Sequence, residues 1–203
     1  MGYGEYIALR TKAMVLPNNG GYDIAKAESN PEFFVEFVGD VMGRENLPAV
    51  IWEPFAGHTG KSKTQDFAAL IGFKLVSFDM APCDPMVQKQ DSTVTGPGET
   101  IGGMFFHPPY FGTMPLSEDD RDLSLISKWD DYVKALRKTV LISSLTMQEG
   151  GLVCAVGRDY RHAGERIRLD LEYLKLFESN SFVLQSVLES EPDVGLIFRK
   201  VGL

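Results

Sequence analysis

Four short stretches of this chain are dominated by apolar residues: 49–52, 74–78, 103–106 and 152–156. Each has strand length and ends at a glycine, a proline or a polar residue. Runs of that kind fit strands buried on both faces, as in a parallel sheet covered by helices. Longer segments with helical spacing alternate with them. Asn30 followed by Pro31 predicts a helix start, and Phe33, Phe34, Phe37, Val38 and Val41 form one stripe ending near Gly43. A second helix is expected over 66–71, stopped by Gly72. Ser127, with Asp130 three residues later, reads as the capping box of a third helix that reaches about Gln148, with Gly150 and Gly151 as its stop. A fourth helix is expected over 164–177. The tail then changes period: 182–188 and 194–201 flank a turn at Glu191, Pro192 and Asp193, which predicts an antiparallel hairpin. Strands alternating with helices predict an α/β protein with a mainly parallel sheet.

Composition adds little to that picture until charge is considered. With 203 residues, 44% of them hydrophobic and 24% charged, the chain can build one domain with a substantial core. No repeat or linker-like shift divides it, so 1–203 is expected to be a single domain. No apolar run has membrane-spanning length, and the first residues do not read as a signal peptide. Cys83 and Cys154 lack metal-ligand spacing; they read as reduced thiols of a cytoplasmic protein, with no metal site expected. Twenty basic residues against 28 acidic ones give a net charge of −8. Autonomous nucleic-acid binding normally relies on a basic surface, so this balance counts against it while leaving room for a local basic cleft. The densest basic group, Arg158, Arg161, His162, Arg166 and Arg168, reads as a solvated helix face rather than a DNA contact.

Three candidate sites stand at the ends of successive predicted strands, where open α/β sheets bind ligands. Glu53, Pro54, Phe55, Ala56 and Gly57 form a small-residue turn that lets a ligand approach the backbone, with Glu53 able to receive a positive group. Asp79 closes the second strand and suits a ribose diol. His107, Pro108, Pro109 and Tyr110 form the most informative segment. Two prolines end the sheet ladder because they lack an N–H, leaving carbonyl oxygens and His107 to accept hydrogens from a planar amine while Tyr110 stacks on its face. A phosphate-binding loop at 57–62 is excluded: the motif needs a glycine five residues before its Gly-Lys pair, and that position is Phe55.

In this order the segments resemble the S-adenosylmethionine-dependent methyltransferases, and among them the DNA methyltransferases acting on the amino group of adenine or cytosine. Glu53-Pro54-Phe55-Ala56-Gly57 is similar to the family's Asp-Pro-Phe-x-Gly cofactor motif. Its acidic ribose-binding residue corresponds to Asp79, and Asp91 is the expected contact to the cofactor's adenine. The catalytic motif, Asp, Asn or Ser followed by Pro-Pro and an aromatic, has a bacterial variant similar to His107-Pro108-Pro109-Tyr110. The segments Asp122-Leu-Ser-Leu-Ile-Ser127 and Trp129-Asp-Asp-Tyr132 extend the likeness.

The resemblance implies a Rossmann-like methyltransferase fold, with a mainly parallel seven-stranded sheet ending in an antiparallel hairpin and helices on both faces. It implies S-adenosyl-L-methionine as cofactor and methyl transfer to an exocyclic amine, with Tyr110 or Phe111 stacking on a flipped base. DNA would be the partner, bound weakly or with help from another subunit given the net charge of −8; self-association is left open. No target-recognition domain fits in the chain, so specificity would come from the 111–129 loop, the N-terminal segment or another subunit. Two alternatives remain: an RNA or protein-amide acceptor, or a non-catalytic binding subunit of the same fold.

Overall fold

A computed structural model describes Met42 and residues 45–57, 61–70, 72–113, 115–190 and 193–202. The helix expected after Asn30 and the turn residues Glu191 and Pro192 lie outside these. The described elements are β1 (Val50–Glu53), α1 (Lys61–Leu70), β2 (Lys74–Asp79), β3 (Gln88–Lys89), β4 (Ile101–Phe106), a 3-10 turn (Leu123–Leu125), α2 (Trp129–Thr146), β5 (Met147–His162), β6 (Glu165–Arg168), α3 (Leu169–Glu178), β7 (Phe182–Ser190) and β8 (Asp193–Lys200).

The strands lie in the order β3-β2-β1-β4-β5-β8-β7, with β6 paired to β5 off this path. β1 pairs in parallel with β2 and β4, and β4 in parallel with β5. β8 lies antiparallel between β5 and β7, the closing hairpin that the change of period predicts. The order reverses between β1 and β4, so their C-terminal ends open a crevice at a topological switch point.

Side chains alternate between the two faces of a strand, and both faces here are buried. Trp52, Val76, Phe78, Met104, Phe106, Val153 and Ala155 enter one core, which α2 and α3 close with Tyr132, Leu136, Val140, Tyr173 and Phe177. Ile51, Leu75, Phe105, Leu152 and Cys154 enter the other, where Ala68 of α1 packs. All six residues of β4 are buried.

Four local expectations are corrected. α1 begins at Lys61, ahead of the expected 66. The N-cap of α2 is Lys128, which makes no side-chain cap; Ser127 forms no capping box, and Asp130 and Asp131 in the first turn meet the helix dipole instead. That helix stops at Thr146 because Met147 already pairs with Ile101 in the sheet, and Lys200 donates to the carbonyls of Ser144 and Met147 at its end. Lastly, 165–168 is a strand: β5 continues to His162 and turns back through Ala163 and Gly164, both at positive φ. The basic group at 158–168 is therefore a β-hairpin, and the fourth helix starts only at Leu169.

Candidate active site

The crevice at the switch point holds a cavity of about 370 Å³. It is lined by Glu53 to Gly57 after β1, Asp79 and Met80 after β2, Gln90 to Thr93 after β3, and His107 to Tyr110 after β4. Every residue expected to hold a cofactor, and all four residues of the Pro-Pro turn, thus share one space. The volume lies in the range of small-molecule sites.

The loop after β1 is fixed by its neighbours. Ala56 N–H donates to the Phe78 carbonyl at 2.8 Å. Gly57 N–H donates to Asp79 Oδ2 at 2.9 Å, and Ala81 N–H to Asp79 Oδ1 at 2.8 Å. Asp79 therefore ties together the loops after β1 and β2. Glu53 is only 1% exposed, and its Oε2 accepts from the Ser77 hydroxyl at 2.9 Å. A carboxylate so deeply placed on a cavity wall suits a cationic ligand group. Asp91 Oδ1 accepts from the backbone and side chain of Thr93, which shapes the turn after β3. The neighbouring Ser92 donates to the Pro54 carbonyl, and Thr139 of α2 donates to the Ser92 carbonyl.

The Pro-Pro turn is held by hydroxyls. Tyr132 of α2 donates to the Pro109 carbonyl at 2.7 Å, so that oxygen is committed to the scaffold. Tyr160 of β5 donates to the Phe111 carbonyl at 2.8 Å. Burial pushes the Tyr132 phenol well above its usual range and Tyr160 up to about 12, so both stay protonated donors at neutral pH. His107 Nε2 lies 3.2 Å from the Tyr110 hydroxyl, and the Tyr110 ring stacks on Tyr160 with centroids 5.6 Å apart.

Phe111 corrects an expectation. It is 6% exposed and stands outside the cavity lining, wedged against Trp129, Tyr132 and His162. Packing takes up the Phe111 ring, whereas Tyr110 lines the cavity. The sequence reading also missed the opposite wall. Leu116, Arg121, Asp122 and Leu123 close the cavity from the 111–129 loop. Asp122 accepts from Ser124 N–H to start the 3-10 turn, and Ser124 Oγ accepts from Leu116 N–H. The Asp-Leu-Ser spacing at 122–124 carried that signal.

No protein-family model matches this sequence, and no curated protein matches it. Solved structures do resemble the fold. An N-methyltransferase, NodS, from Bradyrhizobium japonicum WM9 aligns with a TM-score of 0.56 at 10% identity, covering 86% of this chain and 97% of its own. An S-adenosylmethionine-dependent methyltransferase from Clostridium acetobutylicum ATCC 824 gives 0.54 at 9% identity, covering 87% and 94%. The 1,6-didemethyltoxoflavin-N1-methyltransferase of Burkholderia thailandensis, solved with S-adenosylhomocysteine, gives 0.53 at 13% identity, covering 100% and 92%. The chain has the Rossmann-like fold of S-adenosylmethionine-dependent methyltransferases.

Proposed function

We propose that this protein is an S-adenosylmethionine-dependent methyltransferase acting on the exocyclic amino group of adenine or cytosine in DNA. The observation that carries the reading is the single cavity joining the Glu53–Gly57 loop, Asp79 and Asp91 to the His107–Tyr110 turn. The residues fit the cofactor: Glu53 offers a buried carboxylate to its ammonium group, Asp79 to its ribose, and Asp91 stands at the strand end suited to its adenine. When bound, the cofactor supplies an electrophilic methyl group on a sulfonium sulfur.

The protein's part is positioning and activation. An amine attached to a base shares its lone pair with the ring. The Pro108 carbonyl and a neutral His107 draw on the amino hydrogens and favour a tetrahedral, nucleophilic nitrogen. The Tyr110 hydroxyl, within hydrogen-bond distance of Nε2, orients the imidazole ring. As the methyl would pass to the nitrogen, its carbon–sulfur bond would break to leave a neutral thioether, and His107 or water would take the proton that the nitrogen sheds. The Tyr110 ring fixes the plane of the base, so much of the rate gain comes from alignment.

The test is to incubate DNA with the protein and methyl-labelled cofactor, then digest it for nucleoside mass spectrometry. Label on the amino group of adenine or cytosine is the expected result. Label found only in RNA or protein would move the acceptor. Calorimetric cofactor binding without any transfer would establish the non-catalytic alternative.

A further inference from the structure

The β5–β6 hairpin is unlike the rest of this acidic chain. It carries Arg158, Arg161, Arg166 and Arg168 against Asp159 and Glu165, in a protein of net charge −8. Among the described residues it pairs only with itself from Asp159 to Arg168, beyond the main sheet. A two-residue turn closes it, with Ala163 at φ 50° and Gly164 at φ 85°. Such left-handed pairs make the tight turns of rigid hairpins.

The hairpin is docked on the candidate acceptor turn. Tyr160 stacks on Tyr110 with an interplanar angle of 16°, and its hydroxyl holds the Phe111 carbonyl. The His162 ring lies 5.2 Å from that of Phe111. It presses so closely on Gly112, at φ 65°, that a Cβ there would stand 2.2 Å from a ring atom. Tyr160 is not a cavity-lining residue, whereas Tyr110 is. The hairpin thus packs on a residue that itself lines the cavity. The Arg158 guanidinium lies over the Tyr110 ring, 5.4 Å from its centroid.

Its charges do not converge on a pocket. Asp159 pairs with Arg166 and Arg168, and Arg168 also with Asp170. Arg161 is exposed, and among the described residues its hydrogen-bond contact is a long one, 3.4 Å to the Gly164 carbonyl. In the Arg166–Asp159 pair the guanidinium is the exposed partner, and Asp159 keeps Arg168 when Arg166 turns to another anion. Alternation along the ribbon puts Arg161, Arg166 and Arg168 on one face, opposite Tyr160 and His162, and such a row of cations on a rigid ribbon matches a phosphodiester strand rather than a single small anion.

We propose that the outward face of this hairpin, through Arg161 and Arg166, holds the phosphate backbone of the DNA acceptor beside the turn that carries Tyr110. The proposal rests on the methyltransferase reading above and assigns the basic surface that a −8 protein needs for a polyanionic substrate. Arg161→Lys, Arg161→Ala and Arg161→Glu, made in the full chain, test it. Binding to a fluorescent DNA oligonucleotide is followed by anisotropy across a salt series, together with methyl transfer to the same DNA. The alanine variant should lower the slope of log affinity against log salt by about one. The glutamate variant should weaken binding and raise KM for DNA severalfold, the lysine variant should behave as wild type, and all three should keep wild-type cofactor affinity. If the wild type methylates DNA while Arg161→Glu leaves its affinity, salt slope and KM unchanged, the hairpin proposal is overturned and the function stands. If the wild type binds cofactor but methylates no nucleic acid, both are overturned.

Discussion

At the scale of single residues, the cavity depends on groups that hold other groups still. Glu53, Asp79 and Ser92 fix the loop after β1 by hydrogen bonds from Ser77, Gly57 and to Pro54. Tyr132 does the same for the Pro-Pro turn. A buried tyrosine whose hydroxyl meets one backbone carbonyl has a defined cost of removal. Tyr132→Phe should destabilise the fold by about 0.5–1.5 kcal/mol, because the half-buried Pro109 carbonyl loses its protein donor. Urea unfolding measures that loss. In the same variant kcat should fall while cofactor affinity, set on the far side of the cavity, stays at the wild-type value.

At the scale of elements, legibility followed burial. The central strands were readable because both faces are covered: β4 is buried throughout, so its sequence could only be apolar. The motif loops were readable because they stand at the ends of those strands. The β5–β6 hairpin was not. Tyr160 and Ile167 are its packed residues, and polar ones surround them, so neither period dominates. The positive φ at Ala163 carries no sequence signal of the kind an Asn-Gly pair would give. The capping box failed for a related reason: Ser127 and Asp130 have the right spacing, but the chain enters the helix one residue later, at Lys128. Phe111 shows the limit at the site itself. Adjacent to Tyr110 and equally aromatic, it is separated from it only by which side of the turn each ring faces, and Trp129 and Tyr132 decide that.

At the scale of the whole molecule, several buried groups keep their protons only while the chain is folded. Burial pushes Cys154 from 9.0 up to about 12 and Tyr160 from 10.0 to about 12, and it drives Tyr132 and Tyr173 well above their usual range. In each case the folded state holds a proton that the unfolded chain releases at lower pH. Their stabilisation is therefore complete below about pH 9 and is lost as pH rises, first through the thiol and then, above about pH 10, through the phenols. Urea midpoints measured from neutral to alkaline pH should fall through that window, and Cys154→Ala should flatten its first part. Tyrosinate absorbance should lag behind that of the unfolded chain over the same range.

In the proposed reaction one cavity brings a methyl donor to an amine held at the Pro-Pro turn. The most direct test is a single-turnover transfer from labelled S-adenosylmethionine to DNA, comparing wild type with His107→Ala at saturating cofactor. The prediction is transfer to a base amino group by the wild type and a loss of roughly 10²–10⁴-fold in the variant, with unchanged cofactor affinity. Transfer that survives at the wild-type rate in His107→Ala, or no transfer by a wild type that binds the cofactor, would contradict it.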